Sequence, residues 1–277
     1  FTNGIKVPEL PEVETTLRGI QNHILHKEIK EIEVRQSHLR WQVPTEQIVN
    51  ALEGNSFSEI HRRAKYLVLK SQKGSLLIHL GMSGSLRIFS VFIEPEKHDH
   101  IDITFNDNKL LRFRDPRRFG SFLWTETPDQ HPLLENLGPE PLGNSFSGQY
   151  LFESSRGRRV PLKNFIMNSK IVVGVGNIYA NESLFQAGLR PQRKSGKVTL
   201  NQFESLASSI KILLQSSIDE GGTTLRDFVG TDNKPGYFKQ KLMVYGRKNK
   251  RCKFCSALLK ELKISHRSSI YCPQCQQ

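Results

Sequence analysis

Four cysteines fall in the last twenty-six residues as two Cys-x-x-Cys pairs, Cys252 with Cys255 and Cys272 with Cys275, separated by sixteen residues. Each pair presents two thiolates from one tight turn, and two such pairs complete a tetrahedron. In a chain read as cytoplasmic, where thiols stay reduced, this spacing predicts a zinc site rather than disulfides or redox chemistry. Four protein ligands leave no open coordination position, so the single Zn²⁺ is expected to be structural.

Charge points to a partner. Lys and Arg total 40 against 27 Asp and Glu, a net charge of +13. Eleven Lys or Arg and one acid, Glu261, lie between Lys234 and Arg267. A polyanion fits such a balance, nucleic acid ahead of a membrane because no amphipathic anchor is visible. Charge alone also allows a solvated basic face. Further along the chain, Gly174-Val-Gly-Asn177 follows the apolar run Ile171–Val173 and opens a helical pattern. Tyr179 occupies the place of the third glycine of a dinucleotide fingerprint, which excludes that reading. Small glycines before a helix start instead present backbone N–H groups to a phosphate. Glu12 and Glu14 follow Pro11, where carboxylates favour the first turn of a helix.

The elements that must position these residues are legible in outline. Pro11 to His26 reads as a helix, with Val13, Leu17, Ile20 and Ile24 on one stripe. Ile32 and Val34, Tyr66–Leu69, Leu76–Ile78, Ile101 to Phe105 and Leu111–Phe113 read as strands, several of them bounded by turn residues. Many short strands predict a β-sandwich or barrel. Composition shifts at Gly138-Pro-Glu-Pro-Leu-Gly143, and helical spacing follows: Phe203, Leu206, Ile210, Leu213, Leu214 and Ile218, stopped by Gly221-Gly222. His98 and His100 read as surface histidines, not a second metal site. Met82 and Phe119 would pass for core residues by type, but Gly81, Gly84 and Pro116 beside them predict exposed loop tips. No apolar run is long enough to span a bilayer, and Phe1 to Lys6 lack the apolar segment of a signal peptide.

Pro8-Glu-Leu-Pro-Glu-Val-Glu14 resembles the amino-terminal signature of the formamidopyrimidine-DNA glycosylase family. Further blocks follow in the family's order: Arg62-Arg-Ala-Lys65-Tyr66, His79-Leu-Gly-Met-Ser-Gly84, Asp115-Pro-Arg-Arg-Phe-Gly120, Gly174-Val-Gly-Asn-Ile-Tyr179, Asp227-Phe228, Lys234-Pro-Gly-Tyr-Phe238 and the cysteine pairs. The resemblance runs from Pro8 to the end. It implies that Pro8 is the nucleophile and Glu9 the acid–base residue, with Glu12 as a second carboxylate. An α-amino group titrates near 8, so part of it is neutral and nucleophilic near pH 7. Lys65, expected at the start of a strand, would contact the lesion and its phosphate. Met82, Arg117 and Phe119 match the residues that fill the gap left by a base taken out of the stack. Asn177 and Arg267 would hold phosphates, and Lys234 and Tyr237 fall in a further DNA-binding block. Two positions depart from the family: Asn168 stands for an expected Asp, and Ser256 for the glycine after the second cysteine.

The largest departure precedes Pro8. Seven residues place its nitrogen in a tertiary amide, which cannot form an imine. Residues 1–7 are therefore read as an extension or a mis-assigned start, with Val7 at the true initiation codon; proteolytic processing or an inactive enzyme are the alternatives. The expected architecture is α+β: an N-terminal β-sandwich domain with flanking helices over 8–138, a helix–two-turns–helix domain over 139–235, and a C-terminal zinc finger over 236–277. The resemblance implies a bacterial-type, nucleoid-associated repair enzyme, acting as a monomer on double-stranded DNA. It would excise 8-oxoguanine and formamidopyrimidines and nick the abasic strand. An endonuclease VIII-like enzyme for oxidised pyrimidines is the rival within the fold; Leu10 and Val13 favour the purine-type member. A noncatalytic binder of damaged DNA is the rival if residues 1–7 are retained.

Overall fold

The computed structural model describes residues 8–221 and 242–277. They form two compact units, residues 8–135 with Gly221 in the first and residues 136–220 and 242–277 in the second. Among the described residues, no helix is long and apolar enough to cross a membrane.

The first unit opens with α1 (Leu10–Ile24), followed by β1 (Ile29–Val34), α2 (Thr45–Leu52), β2 (Glu59–Arg63), β3 (Tyr66–Ser71), β4 (Gly74–His79), β5 (Ser85–Phe89), β6 (Asp99–Phe105), β7 (Leu110–Arg114) and β8 (Ser121–Thr125). Two four-stranded sheets result, in the orders β1-β6-β7-β5 and β2-β3-β4-β8. Every pairing in them is antiparallel. Leu67, Leu69, Leu76, Ile78 and Phe122 of one sheet share a single core with Ile101, Ile103, Phe105, Leu111 and Phe113 of the other, which makes the pair a β-sandwich. Phe113 and Phe122 meet across it with ring centroids 4.9 Å apart. Val13, Leu17, Ile20 and Ile24 place the apolar stripe of α1 on the same core. β2, β5 and β8 were not apparent as strands in the sequence. All three are sheet edges, and β2 reads Glu-Ile-His-Arg-Arg with no buried residue. An edge strand lacks the two-sided burial that writes an apolar pattern.

The second unit contains α3 (Gly148–Ser155), α4 (Leu162–Met167), α5 (Asn177–Gln186), α6 (Leu200–Asp219) and the hairpin β9 (Lys260–Ile264) to β10 (Arg267–Tyr271). Thr199 and Gln202 close a capping box at the start of α6, and Phe203, Leu206, Ile210, Leu214 and Ile218 form its buried face; Leu213 is half-buried. At the end of α4, Asn168 Oδ1 accepts from Lys170 N at 3.0 Å. An aspartate would offer the same acceptor, so the departure at 168 leaves this turn intact.

Candidate functional site

Pro8 and Glu9 are buried and stand immediately before α1. Glu9 caps that helix in an extended conformation, and its N–H donates to Glu12 Oε2 at 3.0 Å. Glu12 is thus bound to the helix start, only 5% exposed. Pro11 takes the second helical position rather than the first, where its missing N–H still costs nothing.

Lys65 does not begin a strand. It shares with Ala64 the two-residue turn between β2 and β3, and Ala64 adopts φ +55°. A side chain in that left-handed region costs about 1–2 kcal/mol, so the turn is held by its surroundings. Arg62 supplies the hold. Its Nε donates to Glu14 Oε2 at 2.9 Å and its Nη1 to Ala64 O at 2.9 Å, tying α1 to the turn that carries Lys65.

His79, at the end of β4, lies beside this turn, its ring 4.8 Å from that of Tyr66. Nδ1 accepts from Gly81 N at 2.9 Å, so a neutral ring carries its proton on Nε2. Burial first, then the charges of Lys65 and Arg40, push its pKa down to about 4. The sequence marked His79 only as part of a block; neither its neutrality nor its partner was visible there.

Met82 follows in the turn after β4 and is half-buried. Arg117 and Phe119 lie in the loop between β7 and β8. Phe119 is 44% exposed, which removes it from the core, and the Arg117 guanidinium lies 4.8 Å from its ring centroid. Arg117 Nη1 is buried with no hydrogen-bond partner among the described residues. His100, expected on the surface, is 5% exposed, and its Nε2–H donates to Asp115 O at 2.8 Å at the base of this loop. Its place on the central strand β6 overrides the polarity of its ring.

In the second unit, Gly176 caps α5, Asn177 is its first residue, and Gly174 bends the chain into it at φ +79°. The four cysteines converge, all sulfurs within 4.8 Å of one another. Cys252 and Cys275 sulfurs lie 3.9 Å apart, and those of Cys255 and Cys272 3.3 Å apart. A tetrahedral metal–thiolate site has edges of roughly 3.8 Å, so the donors fit a single cation. Burial and the neighbouring thiols push the Cys275 thiol up, as expected where only a cation could let four thiolates meet. Ser256 accepts φ +61° to close the first knuckle, its N–H donating to Cys252 O at 3.0 Å. The role a glycine would fill is thus met with some strain.

Arg267 is exposed and follows directly on the Ser265–His266 turn, both of whose residues have positive φ. Three buried side chains seat the cysteine module and its hairpin. Glu182 accepts from Met243 N, Val244 N and Tyr245 N at 2.8, 3.0 and 2.7 Å. Asn181 Oδ1 accepts from Ile270 N at 2.8 Å, and Lys163 Nζ donates to Ser268 O at 2.6 Å. None of the three was singled out in the sequence; a polar residue inside a helical run gives no sign of a partner so distant. Lys234 and Tyr237 lie outside the described residues.

The residues marked in the sequence thus fall in two groups: Pro8, Glu9, Lys65, Met82, Arg117 and Phe119 in the first unit, Asn177, Arg267 and the cysteines in the second. Residues 7–122 match the family described as the Formamidopyrimidine-DNA glycosylase N-terminal domain, and residues 137–229 the Formamidopyrimidine-DNA glycosylase H2TH domain. A formamidopyrimidine-DNA glycosylase of Cellvibrio japonicus is 54% identical over 98% of this chain and 100% of its own length. Among solved structures, MutM in complex with DNA containing carbocyclic 8-oxo-G superposes with a TM-score of 0.89 at 32% identity, covering 98% of this chain and 100% of that one. The Lactococcus lactis enzyme bound to N7-benzyl-Fapy-dG DNA gives 0.89 at 32%, with coverage of 98% and 100%. Matches that run through both units and the whole length of these proteins establish that the chain belongs to the formamidopyrimidine-DNA glycosylase family.

Proposed function

We propose that this protein is a base-excision repair enzyme that removes oxidised purines, 8-oxoguanine and formamidopyrimidines, from double-stranded DNA and then cuts the strand. The observation that carries the reading is a full-length relationship to glycosylases in which each residue the chemistry needs is present, with Pro8 and Glu9 buried at one helix start. The Pro8 nitrogen, as a free secondary amine, attacks C1′ and the bond to the damaged base breaks, with the base leaving protonated. Loss of the ring-oxygen bond yields an iminium ion, which acidifies C2′–H; removal of that proton expels the 3′ phosphate, and a second elimination expels the 5′ phosphate. Glu9 exchanges protons during these steps. Lys65, Asn177 and Arg267 hold phosphates, joined by Lys234 and Tyr237. Met82 and Phe119 fill the gap in the stack, and the unpartnered Arg117 nitrogen meets the orphaned base.

The cation in the cysteine site is, in this reading, zinc: four thiolates in a tetrahedron match its structural sites, and Cys252, Cys255, Cys272 and Cys275 would hold it. The catalytic domain spans 8–138, the helix–two-turns–helix domain 139–235 and the zinc finger 236–277. Reduced cysteines and a DNA substrate fit the bacterial cytoplasm, at the nucleoid.

Borohydride trapping tests the reading. An acylated proline has no lone pair to form the iminium ion. A chain that starts at Pro8 should be trapped on abasic DNA, with the adduct mapping to Pro8. The chain with Phe1 to Val7 attached should bind damaged DNA without being trapped. Equal trapping of both would overturn the assignment of Pro8 and turn attention to Lys65.

A further inference from the structure

Two loops carry Met82, Arg117 and Phe119, and one carboxylate joins them. Asp115, immediately after β7, is fully buried. Its Oδ1 accepts from Ser83 Oγ at 2.5 Å and from Arg117 N at 3.3 Å, and its Oδ2 accepts from Gly120 N at 2.7 Å. Ser83 Oγ itself accepts from Arg117 N at 3.2 Å. The Asp115 carbonyl is held in turn by Arg118 N at 3.2 Å and by the buried His100 ring. Close contact between the loops supports the same reading: a Cβ on Gly81 would lie 2.4 Å from Phe119 C and Gly120 N. Every residue from Met82 to Gly120 in this arrangement belongs to the first unit.

We propose that Ser83 and Asp115 form a clasp that makes the two loops one wedge, and that Ser83 is a positioning residue for base extrusion. The proposal rests on the DNA-repair reading above. Taking a base out of the stack costs free energy that the wedge repays only if its parts enter together. Met82 sits one residue before the serine hydroxyl and the Arg117 backbone N–H donates to that same hydroxyl oxygen, so the clasp couples the side chain on one loop to those on the other. Loops joined only by contact would each sample their own positions.

The test reads unstacking directly, without relying on cleavage. 2-Aminopurine beside 8-oxoguanine in a paired duplex should brighten when the full-length protein binds, and stopped-flow fluorescence gives the rate. Ser83→Ala should slow the rise about tenfold, while affinity for a duplex whose lesion faces a one-nucleotide gap should change by less than about twofold, since one hydrogen bond's coupling is lost and no DNA contact. Ser83→Thr, which keeps the hydroxyl, should restore most of the rate. An unchanged rate for Ser83→Ala, or a loss of affinity for the gapped duplex as large as the loss of rate on the paired one, overturns the clasp. A wild-type protein that gives no rise on the paired duplex overturns the repair reading itself, and the clasp with it.

Discussion

The neutral imidazole of His79 sits where a proton would break a bond. Its Nδ1 accepts from Gly81, one residue before Met82, and burial together with Lys65 and Arg40 lowers its pKa to about 4. In the unfolded chain the same ring titrates near 6.5. Between these values the unfolded state binds more protons than the folded one, so folding stability falls as pH drops from about 6.5 through about 4. The loss should be about 1–2 kcal/mol, below the full value of the shift because the ring is half-buried and partly screened. His79→Gln cannot charge and should flatten the dependence over that range. Urea midpoints at pH 7 and pH 4.5 measure the difference; a variant as acid-sensitive as the wild type would place the titration elsewhere.

A hairpin of two five-residue strands, β9 and β10, is too small to stand alone in water. It is seated here by the cysteine cluster at its ends and by Glu182, Asn181 and Lys163 of the helices. The Glu182 carboxyl is pushed up by burial, and its three backbone N–H donors offset part of that cost. Removing a metal bound to the cysteines would take away its ligand bonds but leave these anchors. A chelator under reducing conditions should therefore open the segment 242–277 to amide hydrogen exchange while the sandwich keeps its protection, and DNA binding should weaken. Retention of full protection in the hairpin after the metal is gone would mean that the anchors suffice.

Over the whole molecule the charge of +13 makes binding to DNA depend on salt. Arg267 is exposed at the end of the Ser265–His266 turn, at the start of β10. Phosphate contacts position a protein without reading sequence. Arg267→Ala should weaken binding to every duplex alike and reduce the slope of log affinity against log salt by about 1. A preserved slope with altered ranking among lesions would move Arg267 from the phosphates to the base.

What the sequence determined by itself was local or repetitive. Cys-x-x-Cys spacing marks a metal site because both ligands come from one turn. The stripes of α1 and α6 and the central strands β3, β4, β6 and β7 were legible because core burial repeats along the chain. The ordered motifs from Pro8 to Cys275 carried the family. Tertiary structure decided what depends on a partner far along the chain. Edge strands β2 and β8 exist because a neighbour offers hydrogen bonds, not because their residues alternate. Lys65 stands at a turn because β2 and β3 pair around it. His100 is buried because a central strand carries it inward, and Ser83 meets a carboxylate 32 residues away only when two loops converge. Periodicity records which face of an element is dry; it holds no record of which polar group waits on the other side, and at this site those pairings set the geometry.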